Sequence, residues 1–274
     1  MDIKDFKDHL TDLEPEKRKL FAELLELKQK KEGTRKAQEN FLDFVKYMWP
    51  HFVEGTHHRI IAEKFDRIAK GTLKRLIVNM PPRHTKSEFA SFMLPAFIMG
   101  KNPMTKIIQT SHTAELSQRF GRKTKQLIDS TDYKHIFPET LLQADSKAAG
   151  RWDTNAGGEY FAAGVGGAIT GRGADLLIID DPHSEQDALS ETAMENAYEW
   201  YTSGPRQRLQ PGGAIVLVMT RWSTVDLTGQ LMKAQVEPKA DQWEVVEFPA
   251  IMDSGEPTWP EYWKVSELES VKAS

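Results

Sequence analysis

Up to Gly71, apolar side chains recur at helical spacing; beyond it, short apolar runs alternate with helical stretches. Leu13, Leu20, Phe21, Leu24, Leu25 and Leu27 predict a helix over 13–31. Pro15 suits its first turn, and Gly33-Thr34 is expected to end it. Its polar face carries Lys17, Arg18, Lys19, Lys28, Lys30 and Lys31, which reads as a solvated surface. Phe41, Phe44, Val45 and Met48 form a second stripe that ends at Pro50. Ile61, Phe65, Ile68 and Ala69 form a third that ends at Gly71 and opens on His57-His58.

From Arg75 onward, four runs read as strands: Leu76–Val78, Lys106–Gln109, Leu176–Ile179 and Ala214–Met219. Near-continuous apolarity marks strands covered on both faces, as in a parallel sheet. Segments 86–99, 112–130, 190–202 and 224–235 read as the intervening helices. That alternation predicts an α/β fold with ligands at the carboxyl ends of the strands. Residues 151–158 read as a hairpin turn. Gly164, Gly166, Gly167, Gly171 and Gly173 form a glycine-rich loop before a strand, the wrong context for a dinucleotide fingerprint.

Composition adds boundaries. With 39% hydrophobic and 28% charged residues, the chain matches an ordinary globular protein. No run approaches the roughly 18 apolar residues a membrane span requires, and Met1–Asp5 does not open a signal peptide. The absence of cysteine excludes disulfides and thiolate chemistry and fits a cytoplasmic protein. A net charge of -4 excludes a uniformly basic nucleic-acid-binding domain but leaves room for a local basic patch. His57-His58 has no further His or carboxylate at metal-ligand spacing, so no metal site is read there; one ring packs or caps while the other faces a ligand.

Three strand ends carry candidate chemistry. After Leu76–Val78 comes Asn79-Met80-Pro81-Pro82-Arg83-His84-Thr85-Lys86-Ser87, then an apolar-periodic segment. Strand, loop, Lys-Ser and helix is the order of a phosphate-binding loop, in which helix-start N–H groups face the anion. The lysine reaches the outer phosphates, and the serine hydroxyl completes a Mg²⁺ shell. Met80 and Thr85 replace the two glycines of that motif. After Leu176–Ile179 comes Asp180-Asp181-Pro182. Two adjacent acids ending a buried strand require a cation or strong hydrogen bonds. In a nucleoside triphosphatase, Asp180 would hold Mg²⁺ through its water shell and Asp181 would polarise the attacking water. After Ala214–Met219 comes Thr220-Arg221-Trp222, placed to sense the γ-phosphate.

Together, Met80–Ser87, Thr170–Asp175, Leu177–Pro182, Thr220–Trp222, Phe248–Ile251 and Trp259-Pro260 resemble the N-terminal ATPase half of the large terminase subunit. That subunit is the motor that packages DNA into the heads of tailed bacteriophages. The resemblance runs from about His57 to the end of the chain, and it includes the family's variant phosphate loop with an early arginine, here Arg83. It implies a P-loop NTPase fold of the ASCE, RecA-like type, with a mostly parallel central sheet flanked by helices and preceded by N-terminal helices. It divides the chain into an N-terminal helical segment 1–55, an ATPase domain 56–240 and a connector 241–274. The connector would lead to a nuclease domain lying outside this sequence, so DNA cleavage is not expected.

By position, the resemblance implies ATP and Mg²⁺ as cofactors. Arg83, His84, Thr85, Lys86 and Ser87 bind nucleotide, with His57 and His58 near the adenine. Ser87 and Asp180 hold the metal, Asp181 is catalytic, and Thr220 and Arg221 couple hydrolysis to motion. Arg122, then Arg119 and more distantly Arg172, are candidates for an arginine inserted into a neighbouring subunit's site. The implied partners are double-stranded DNA, the portal protein of the phage head, the small terminase subunit and further copies in a ring on the capsid, expected as a pentamer. No membrane is implied, and the location is the host cell cytoplasm. The alternatives are a helicase-like ATPase, or a nucleotide-binding docking domain without turnover.

Overall fold

The computed structural model describes residues 14–146 and 148–273. Leu13 and the opening Met1–Asp5 lie outside the described residues. Among the described residues, three helices come first: α1 (Pro15–Glu39), α2 (Phe41–Met48) and α3 (Thr56–Ala69). The expected break at Gly33-Thr34 does not occur. One helical glycine costs only about 1 kcal/mol, and Thr34 turns its hydroxyl back to the Lys30 carbonyl, 2.9 Å away. α1 ends instead at Asn40, an extended residue (φ -130°) whose side chain accepts from Asp43 N–H and caps α2. Asp66 of α3 fixes this corner by accepting from Phe41 N–H at 2.9 Å.

The strands are β1 (Arg75–Asn79), β2 (Lys106–Ser111), β3 (Arg151–Asp153), β4 (Glu159–Gly164), β5 (Ala174–Asp180), β6 (Leu209–Met219) and β7 (Glu244–Glu247). Among the described residues they form one seven-stranded sheet in the order β3-β4-β2-β5-β6-β1-β7. Every pairing is parallel except β3–β4, the hairpin around 154–158. The connecting helices are α4 (Leu94–Lys101), α5 (Ala114–Asp129), α6 (Thr131–Ile136), α7 (Glu191–Ser203) and α8 (Leu227–Ala234), with α9 (Val265–Ala273) following β7. Helix 86–99 is in fact two pieces: a π-helical stretch, Glu88–Met93, runs into α4, and Leu94 N–H bonds Phe89 C=O across five residues. β4 and β7 escape the apolar-run criterion. β4 opens on Glu159 and ends on Gly164, while β7 is a four-residue edge strand bounded by glutamates.

Both faces of the sheet are covered, as continuous apolar strands require. On one face Leu76, Val78, Ile107, Leu176, Ile178, Val216 and Val218 share a core with Ala37, Phe41, Phe44, Phe65, Phe89 and Phe97. Phe41 sits at its centre, edge-on to Phe65, Phe89 and Phe97 with centroids 5.1 to 5.5 Å apart. On the other face Ile77, Ile108, Leu177, Ile179, Ile215 and Leu217 pack against Tyr201, Leu227, Leu231 and Trp243. The first helices thus share one core with the sheet. Among the described residues no helix is long and apolar enough to cross a membrane.

Candidate functional site

β6 lies between β1 and β5, and the register pairs Asn79 with Met219 and Val218 with Asp180. The three carboxyl ends therefore stand side by side, which brings Lys86 and Ser87, Asp180 and Asp181, and Thr220 into one place. Lys86 is buried, and its Nζ lies 2.9 Å from Asp181 Oδ2 and 3.0 Å from Thr220 Oγ1. The other Asp181 oxygen accepts from Thr220 N–H at 2.8 Å. Ser87 Oγ donates to Asp180 Oδ1 at 2.8 Å.

Ser91 was not singled out in the sequence, yet its fully buried hydroxyl donates to the second Asp180 oxygen at 2.7 Å. It lies four residues after Ser87 on the π-helical stretch, and that same-face spacing is the signal that could have found it. Asp180 is wholly buried. Burial, reinforced by the charge of Asp181, pushes its pKa up, and the bonds from Ser91 and Ser87 together with the Lys86 charge only partly oppose the rise.

The Pro81–Ser87 loop makes its turn without the two glycines of the phosphate-binding motif. Thr85, at the second glycine position, has φ +69°, and Arg83 has φ +61°. A β-branched residue in the left-handed region costs of order 1–3 kcal/mol and persists only where its surroundings impose it. His58 supplies the constraint. Gly55 N–H donates to His58 Nδ1 at 2.8 Å, so the proton resides on Nε2, which lies 2.7 Å from Thr85 Oγ1. That hydroxyl in turn donates to the His84 carbonyl at 2.6 Å. His57 and His58 are both buried, under Phe248 and Trp259, and His84 lies beside Trp263. Desolvation lowers the pKa of all three rings, His57 to about 4 and His58 to about 2.

The remaining candidates are dispersed. Arg83 is exposed on the loop. Arg221 lines a small cleft with Pro81 and Pro82 of the loop and is held by carboxylates. Its Nε donates to buried Asp226 at 2.9 Å, and a second nitrogen lies 3.3 Å from Glu247. Asp226 also caps α8 and accepts from Trp222 and Ser223 N–H, so it joins the end of β6 to the following helix. Arg119 and Arg122 are exposed on α5. Arg172 pairs with Glu159 over the Phe161 ring.

Among the described residues no group of three or more His, Cys, Asp or Glu is poised to hold a metal. The donor set is instead one hydroxyl and one carboxylate, hard oxygen ligands of the kind Mg²⁺ takes when water and phosphate oxygens complete its shell. A divalent cation fits here, because it would compensate the buried Asp180 charge.

Fold and strand order define a mixed α/β architecture with a mostly parallel sheet flanked by helices, in which one strand, β6, separates the loop-bearing β1 from the acid-bearing β5. A crystal structure of the HK97 bacteriophage large terminase is similar over 77% of this chain, with 12% identity and a TM-score of 0.49. The similar chain is the longer one, and 46% of it is covered. No protein-family model and no curated protein matches the sequence.

Proposed function

We propose that this chain is an ATP-hydrolysing motor domain that acts on double-stranded DNA, in keeping with its sequence resemblance to large terminase subunits. One observation supports this above the others: Lys86 joins Asp181 and Thr220 while Ser87 meets Asp180, all at adjacent strand ends. Each side chain then has a place in phosphoryl transfer. Lys86 would leave Asp181 for the outer phosphates, and Asp181 would be freed to orient and polarise water. Ser87 and Asp180 would hold Mg²⁺, which supplies charge neutralisation at the phosphates. Thr220 contacts both Lys86 and Asp181, so it registers whether that pair is made or broken. Portal protein, small terminase subunit, a ring of copies and packaging of viral DNA into a capsid belong to the same proposal, as does the arginine in trans from Arg122 or Arg119.

Phosphate release from Mg-ATP, followed over a range of protein concentrations, tests it. Turnover should rise more steeply than concentration. Asp181→Asn should retain nucleotide binding but lose at least about 100-fold in rate, the scale on which general acid–base groups act. Lys86→Ala should lose binding. Nucleotide bound at every concentration without turnover would replace the motor with a docking domain, and no binding at all would remove the nucleotide site.

A further inference from the structure

A second concavity lies away from the phosphate loop, between α7 and α8, and encloses about 660 Å³. Tyr198, Val225 and Ala234 give it an apolar lining, and Val225 is 43% exposed. Glu191, Glu195 and Glu237 stand along it with a single cation, Lys233. None of the three carboxylates enters an ion pair among the described residues. The groove is therefore apolar inside and net negative around its edge.

The complement of that surface is on the same chain. Leu20, Leu24 and Leu27 of α1 are 58%, 54% and 57% exposed. Lys17, Leu20, Leu24, Leu27 and Lys31 succeed one another in steps of three and four, which places them on one face of the helix. Further along, the same stripe meets the body, where Thr34 and Gln38 lie near His135 and Gln38 donates to the Ile136 carbonyl. The stripe that seats the C-terminal part of α1 thus continues as an exposed leucine ridge. Lys28 and Lys31 beside it enter no ion pair among the described residues.

We propose that the Leu20-Leu24-Leu27 ridge of one copy of this chain docks in the α7–α8 groove of a second copy, with Lys28 and Lys31 facing Glu191, Glu195 and Glu237. Apolar burial supplies the attraction, and the opposite charges set register and partner choice. Ridge and groove are different surfaces, so each copy keeps one of each for its neighbours. The contact is heterologous and propagates head to tail until the rotation closes. This inference does not depend on nucleotide chemistry, because neither surface includes a residue of the phosphate-loop site.

Sedimentation velocity of the whole chain over rising concentration, at low and high salt, tests it. Wild type should self-associate, more weakly in high salt because exposed charges are screened. Leu24→Glu alters only an exposed position, and the Glu191→Lys/Glu195→Lys pair lies on the surface, so circular dichroism should be unchanged. Each should weaken association by at least about tenfold, the effect of losing about 1.4 kcal/mol at an interface. Mixing Glu191→Lys/Glu195→Lys chains with Lys28→Glu/Lys31→Glu chains should restore association between the two. A wild type that stays monomeric, variants that assemble normally, or no recovery on mixing would each overturn the contact. Loss of DNA binding in Lys28→Glu/Lys31→Glu with assembly intact would assign the ridge to nucleic acid and overturn it too.

Discussion

Ser91 shows how much a single hydroxyl can contribute at this site. With Ser87 it supplies one donor to each oxygen of Asp180, which is buried and has no ion-pair partner of its own among the described residues. If Asp180 holds Mg²⁺ as proposed, loss of such an outer bond disturbs its orientation, typically at a cost of roughly 10–100-fold in metal affinity. Ser91→Ala should therefore raise the Mg²⁺ concentration needed for half-maximal ATPase rate by roughly that factor, with little change in nucleotide binding without metal. An unchanged magnesium dependence would leave Ser91 a packing residue. Lys86, Ser87, Asp180 and Asp181 were legible in the sequence because each follows a recognisable buried strand. Asp226 was not, since an isolated Asp in a loop shows its partners only once distant segments are side by side, and Ser91 offered no signal beyond its spacing from Ser87.

At the scale of elements, α2 is short but central. Its amphipathic stripe was legible, and the structure explains why it must be apolar: Phe41 touches aromatic rings from α3, the π-helical stretch and α4. Phe41→Ala should destabilise the fold by about 3–5 kcal/mol, the usual range for deleting a buried aromatic ring, as read from urea unfolding midpoints. A loss below about 1 kcal/mol would mean that the neighbouring rings collapse into the space. The same packing accounts for what periodicity missed. Gly33 is too weak a breaker to stop a helix that gains tertiary contacts further on, at Ala37 and Gln38. β7 has few apolar residues because it pairs at the sheet edge, and that pairing, with β1, is a long-range fact that no local pattern encodes.

For the whole molecule, three neutral histidines join the first described helices, the Pro81–Ser87 loop and the aromatic segment at 259–263. Their folded pKa values lie below the ordinary value near 6.5, to about 4 for His57 and about 2 for His58. As pH falls past the ordinary value, the unfolded chain takes up these protons before the folded one, so stability is full above that pH and declines below it. Thermal unfolding should thus show Tm falling from about pH 6.5 toward pH 4. Replacing His57 with Gln should flatten that slope, and a slope unchanged by the substitution would place the acid sensitivity elsewhere.

The aromatic segment behind the loop has an optical consequence. Trp259 lies 4.9 Å from His58, the residue that holds Thr85, and Trp263 lies 6.0 Å from His84. Two indoles of the chain therefore stand one side chain away from the loop backbone. Any rearrangement of that loop changes their surroundings, so Trp259 and Trp263, two of the seven tryptophans, make part of the intrinsic emission a built-in reporter of loop conformation that needs no label.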